Sequence, residues 1–575
     1  MTKPREIMSH CMFTTYMRNQ NSRVEDAVLI KERLRCKETG REKPRIRIAT
    51  NVQRPYWVSK PEVQKQHTQK REFEYAHNLE MRTCTQAELP LRVAKAIGFK
   101  GGYQSLSKSC RSPYIYGTDI SVSVLEKHKL DKANTAANGS WVPDYSIAVM
   151  DFETNTHSVD EEIISGAISM KDKAVIVVSQ DFVANIPNLE ERVLEMCNKY
   201  LEEDIKKRDI KIKVHVVPND FEVAKKLMFY AHMWKPDFLT FWNMNFDIKK
   251  MMQSCERHGK DPAFIFSDPN VPAHYRFFNY REDAVNRITA SGKKMNKDPS
   301  DAWHVVECPA SFYVIDAMCV FRMLRVVKGK RHSYSLDAIL NDELGIRKLE
   351  IPGVDGNHNL NWHRFMQLNK KIEYLVYNLF DCISVELLDE ETTDLSKKIG
   401  LYADGSDFSS LSSNPKRLAN AIHLFLVEKG KVLCSTADDM TEEFDKFVLD
   451  KRDWIVTLAN ELADESGIAL YKELPNLLTR AAVGVADIDI TSGYPNAQFI
   501  ANVSKSTTLA EVCSISGLNR NQIKQLSVDL MACPANAYEI CTRVLDMPEF
   551  DEVVAMYDEM EAANDDRLQR IQVAA

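Results

Sequence analysis

A chain of 575 residues with 44% hydrophobic and 27% charged residues is long enough for several cored domains, which excludes a small stapled scaffold and a wholly disordered polymer. Thirteen cysteines, an odd number without a Cys-x-x-Cys pair, exclude a disulfide framework and a zinc site of the usual spacing, and read as reduced thiols. The net charge of −7 is unevenly spread, with 26 Lys and Arg against 15 Asp and Glu in residues 1–149 and a strongly acidic remainder. That imbalance suits a protein that meets phosphate backbones with its front and collects metal ions behind it, although a solvated charged surface accounts for it as well.

In chain order, residues 1 to about 50 are rich in Arg, Lys and Glu with little periodicity, and read as an arm or a loosely packed edge. No apolar run reaches membrane-spanning length and the first twenty residues lack a signal-peptide core, so the expectation is an intracellular protein with no membrane contact. Residues 50–102 read as a short strand followed by charged helical segments, anchored by Tyr56 and Trp57. The Ser-, Asn- and Lys-rich stretch 103–143 ends in NTAANGSWVP, a candidate linker. Lys43, Arg45, Arg47, Lys65, Lys70 and Arg71 are candidates for tracking template phosphates, with Tyr56 or Trp57 stacking on a base; a solvated surface over an aromatic core explains them equally.

From residue 145 to about 397 strands and helices alternate. Apolar runs at 174–178, 214–217 and 238–242 read as strands, 189–207 and 220–233 as helices, and 369–391 as a long helix with apolar residues at 3.6 spacing. This order predicts a mixed α/β sheet covered by helices. Residues 398–480 read as mainly helical, 481–496 as a strand ending at Gly493-Tyr494-Pro495, and the tail as helical and acidic.

The chemistry centres on Asp151-Phe152-Glu153, where an apolar run delivers two carboxylates to one face of a strand. Asp247 follows the strand 238–242 at the start of a helix, and Tyr377 and Asp381 share a helix face at i,i+4 spacing. Each has an ordinary explanation alone: a helix cap for Asp247, a surface pair for Tyr377 and Asp381. Together they form a cage of four carboxylates, Asp151, Glu153, Asp247 and Asp381, for two hard divalent ions, Mg2+ or Mn2+. In-line displacement at a phosphodiester asks for that arrangement. Tyr377, a poor base, would orient the attacking water.

In this order the motifs resemble the three exonuclease motifs of the DnaQ-type proofreading domain of family B DNA polymerases, most closely the bacteriophage members: DFE at Asp151, NMNFD ending at Asp247, and YNLFD from Tyr377 to Asp381. The resemblance implies an RNase H-like 3′–5′ exonuclease domain over 141–397, after a basic N-terminal domain over 1–140. Asn243, Asn245 and Phe246 then become candidate contacts to a DNA 3′ end, while Asp316, on the strand before the next helix, takes no metal role. Asp487-Ile488-Asp489-Ile490-Thr491-Ser492-Gly493-Tyr494-Pro495 is similar to the first polymerase motif. It implies a partial palm over 481–575, joined by a helical linker at 398–480, with Asp489 as a polymerase metal ligand and Ser492 and Tyr494 beside it. Gly493 stands where the family has Leu, and neither the fingers motif nor the Asp-Thr-Asp hairpin follows.

The leading expectation is therefore the exonuclease-bearing part of a split family B polymerase. It would act on a primer 3′ end and single-stranded template in the cytoplasm of an infected bacterium. A second polypeptide would supply fingers, thumb and the rest of the palm, and a sliding clamp is a further candidate partner. The alternatives are a self-sufficient 3′–5′ exonuclease with a vestigial palm segment and a non-catalytic replication scaffold.

Overall fold

Side chains along Ile147–Thr154 (IAVMDFET) point alternately to two different cores, and the central sheet is built around this strand. The computed structural model describes residues 7–436 except 66–72, 101–103, 140, 285, 289–293, 327, 328, 330, 355, 357 and 404, together with 517 and 555. The sheet has six strands in the order Lys211–Val217, Lys173–Ser179, Ile163–Met170, Ile147–Thr154, Phe238–Phe241, Tyr313–Asp316. Ile163–Met170 runs antiparallel to both of its neighbours and the other three pairings are parallel, so the sheet is mixed.

Ala148, Met150 and Phe152 face a core shared with helices Asp220–Trp234 and Met244–Arg257. Opposite Phe152 in the register stands Gly166, where a Cβ would come within 2.6 Å of the Phe152 ring and of Leu227. The glycine lets the ring lie against the sheet. On the other face, Ile147, Val149, Ala167 and Ile176 pack against the long helix Lys371–Thr392 and the helix Leu189–Tyr200. The residues 145–397 thus form the helix-covered mixed sheet that the alternation predicts.

The front of the chain differs from expectation. Instead of an arm, residues 7–50 form a three-stranded antiparallel sheet, Ile7–Arg18, Asp26–Cys36 and Glu42–Thr50. Met12, Phe13, Met17, Ala27 and Leu29 join the core of the central sheet on one side, while Cys11, Val28 and Ile30 pack on Val122 on the other. A strand buried on both faces has no simple alternation, and its charged residues, Lys31, Glu32 and Arg33, are buried by pairing. The candidate linker at 134–143 begins within helix Val122–Asn138, whose start is capped by the Ser121 hydroxyl, and leaves it at Gly139. Within 73–96, the expected charged helices are strands Phe73–Tyr75 and Leu79–Cys84 followed by helix Leu89–Ala96.

After residue 398 the chain returns to its own beginning. Leu424, on helix Asn414–Glu428, packs on Ile120 and Val124, and strand Lys431–Leu433 pairs with Phe73–Tyr75. Two compact units divide the chain, Met1–Ala437 and Asp438–Ala575, and the second is almost wholly outside the described residues. Asp489, Ser492 and Tyr494, the strand 481–496 and the helical tail fall there, as Lys70 and Arg71 fall in an internal gap. Among the described residues no helix is long and apolar enough to cross a membrane.

Candidate metal centre

The strand face that carries Val149 next presents Asp151, half-buried, and Glu153, buried, beneath the long helix. Their partners across the strand pair are small, Ala167 and Ser165, which leaves room for two carboxylates above them. From the helix, Asp381 comes down onto the same spot. One oxygen from each of Asp151, Glu153 and Asp381 lies within 4.8 Å of the others, and they are the acidic group among the described residues placed to hold a metal ion.

The surroundings are polar and nearly saturated. Asn378, one turn before Asp381, donates from Nδ2 to Asp151 Oδ2 at 2.6 Å, and Tyr374 donates its hydroxyl hydrogen to Glu153 Oε2. Lys348 donates from Nζ to Asp381 Oδ2 at 2.7 Å and to the Tyr377 hydroxyl oxygen at 2.8 Å. Asp381 Oδ1, buried, has no hydrogen-bond partner. An orphaned buried carboxylate oxygen is costly unless a cation or water meets it, and three hard oxygen donors suit a divalent ion such as Mg2+ or Mn2+. The residues present therefore fit a metal ion.

Asp247 stands one step aside. It lies in the first turn of helix Met244–Arg257, buried, and accepts at Oδ1 from the Phe152 amide at 3.3 Å, but it is not within the close group of three. Three carboxylates make the close group, and Asp247, whose acidity Asp151 raises, adjoins it.

Crowding is written into the acidities. Burial, then the charges of Asp381 and Glu153, holds the Asp151 carboxyl well above its ordinary range. Burial pushes Glu153 up to about 8 against the opposing hydrogen bond from Tyr374, and Asp247 is raised by burial and then by Asp151. Burial alone would lower Lys348, but Asp381, aided by Asp151 and Glu153, outweighs it and the ammonium titrates above its usual value. Burial and then Asp381 keep the Tyr377 phenol protonated far above its ordinary value, so it is no general base.

The remaining expected residues divide. Asn243 and Phe246 are exposed at the start of the helix that carries Asp247, whereas Asn245 is half-buried and accepts from the Tyr280 hydroxyl at 2.6 Å. Asp316 caps helix Ala317–Arg325 through the Cys319 amide at 2.8 Å and accepts from the Met244 amide at 2.9 Å. Arg45 and Arg47 both pair with the buried Glu32, at 2.7 and 3.2 Å, while Lys43 and Lys65 are exposed. Tyr56 and Trp57 are 3% and 6% exposed, in two separate cores, so stacking of a base on either is ruled out.

Three residues that contact the acidic group escaped the sequence reading. Tyr374 and Asn378 share the helix face of Tyr377 and Asp381 at i,i+3 and i,i+4 spacing, a signal that was available. Lys348 sits in the loop after helix Leu336–Leu344, which Gly345 ends in a left-handed turn, and no local pattern marks it. No family model matches this chain, and no curated protein does.

Proposed function

We propose that the 145–397 region is an RNase H-like, metal-dependent nuclease that hydrolyses phosphodiester bonds at DNA 3′ ends, as the exonuclease motifs imply. One observation carries it: Asp151, Glu153 and Asp381 converge with an unpartnered carboxylate oxygen beside a lysine and a tyrosine. Asp151, Glu153 and Asp381 would hold Mg2+ or Mn2+, with Asp247 adjacent. A divalent ion there supplies positive charge to the scissile phosphate and to the attacking water.

The protein's own groups do the rest. Lys348 is a donor only, so the Tyr377 oxygen accepts from it and the phenolic hydrogen remains to orient an oxygen in the site. The same ammonium fixes Asp381 and adds a positive charge where phosphate charge develops. Phe246, exposed in the turn that carries Asp247, offers a ring on which a terminal unpaired base can stack, with Asn243 beside it. The polymerase-type motif at Asp489 lies outside the described residues, and the proposal stands on the nuclease centre alone.

The test uses the full chain, a 5′-labelled single-stranded oligonucleotide and Mg2+ or Mn2+. The expected outcome is a ladder shortened from the 3′ end, lost in the double variant Asp151→Ala, Glu153→Ala while its circular dichroism is unchanged. Equal cutting by that variant rejects the site; cutting from the 5′ end or internally rejects the polarity.

A further inference from the structure

Glu153 is less securely placed by its strand than Asp151. Glu153 still pairs with Ser165, but the pairing with Ile163–Met170 shifts register between Glu153 and Thr154, so the regular ladder ends at this ligand. Something else must aim the carboxylate. Tyr374 reaches it from the long helix, and its hydroxyl has one hydrogen, which goes to Glu153 Oε2. The two other groups at that oxygen must then donate: His363 from Nδ1 at 2.8 Å and Gln367 from Nε2 at 3.2 Å. The phenol is saturated and cannot turn away.

Gln367 also grips the strand beyond the irregularity. Its Nε2 donates to the Thr154 carbonyl at 2.8 Å, and its Oε1 accepts from the Thr156 amide at 3.0 Å and hydroxyl at 2.9 Å. His363 and Gln367 are one turn apart on helix Leu360–Asn369, which Trp362 and Met366 anchor in the core holding Tyr374 and Tyr377. Tyr374 and Tyr377 stand parallel, 6.1 Å apart, yet serve different partners: Tyr374 the metal ligand, Tyr377 the lysine.

We propose that Tyr374, saturated by His363 and Gln367, is the positioning residue that presents Glu153 to the metal ion. This rests on the metal-centre reading above. Partners behind a metal ligand are worth about 10–100-fold in metal affinity.

The experiment measures Mn2+ affinity of the full chain by electron paramagnetic resonance, with DNA cleavage assayed separately. Tyr374→Phe keeps the ring and is expected to weaken Mn2+ binding by about 10–100-fold. His363→Ala, at a half-buried position that tolerates truncation, is expected to move affinity in the same direction by a smaller factor. It carries the test if Tyr374→Phe does not fold. Affinity within twofold of the unaltered chain for the folded Tyr374→Phe, even with lowered thermal stability, overturns the proposal and makes the network purely structural; the same result for His363→Ala overturns it where Tyr374→Phe does not fold. An unaltered chain that binds no Mn2+ overturns both this inference and the metal centre. Weakened Mn2+ binding in a chain that cuts no DNA upholds the positioning role and rejects the nuclease.

Discussion

The two ends of one pair of parallel strands handle buried charge in opposite ways. Before strands Ile147–Thr154 and Phe238–Phe241 begin, Asp237 is met by Arg33, by the Ser146 amide and hydroxyl at 2.8 Å each, and by Lys31 at 3.7 Å. Lys31 spends its three hydrogens on the carbonyls of Lys235, Pro236 and Ser311. Two cations answer one anion, and every ammonium hydrogen has an acceptor. At the other end, Asp151, Glu153 and Asp381 share one ammonium, with a carboxylate oxygen left over. The first cluster joins the front sheet to the central sheet with cations in excess, although Asp237 Oδ1 also lacks a hydrogen bond; the second has anions in excess and has the charge balance for an added cation.

Breaking the cation-rich end should show the largest effect on stability. Asp237→Ala strands two buried cations and is expected to cost about 3–5 kcal/mol in urea unfolding, with or without metal. A cost that Mg2+ removes would erase the distinction between the two ends.

A pH series sharpens the contrast next. Glu153 has a folded pKa of about 8, raised from 4.5, so the metal-free protein binds this proton more tightly when folded. The stability it contributes is full below about pH 4.5 and lost as pH rises through about 8, with Asp151 and Asp247 acting in the same direction. Melting curves should fall across that window without metal and flatten with saturating Mg2+, which favours the ionised carboxylates. Curves with the same slope in both conditions would separate the acidic group from metal binding.

The smallest effect is the most diagnostic. Asp151→Asn removes one of the crowded anions but keeps an oxygen for Asn378, so metal-free stability is expected to rise by about 1 kcal/mol. The Mg2+-induced increase in Tm should shrink at the same time. A loss of metal-free stability would mean that the crowding is not under strain.

Much of the centre was legible because it is local. Alternation put Asp151 and Glu153 on one face, helical spacing put Tyr377 with Asp381, and both relations persist in the fold. The front sheet was illegible for the reason that hid Lys31 and Arg33: charged residues that find partners inside look, in a sequence, like charged residues in water. Lys348 was hidden because it reaches Asp381 from a loop 33 residues earlier in the chain.

The sequence by itself determined the periodicities, the mixed α/β class between 145 and 397, and which carboxylates could face the same way, since a strand or helix repeat depends only on neighbours. Tertiary structure alone decided that Asp247 stands beside the group rather than in it, that Lys348 supplies its cation, and that Tyr374 holds Glu153 across 221 residues. Those relations come from packing a helix over a sheet, and no repeat along the chain encodes which side chains meet there.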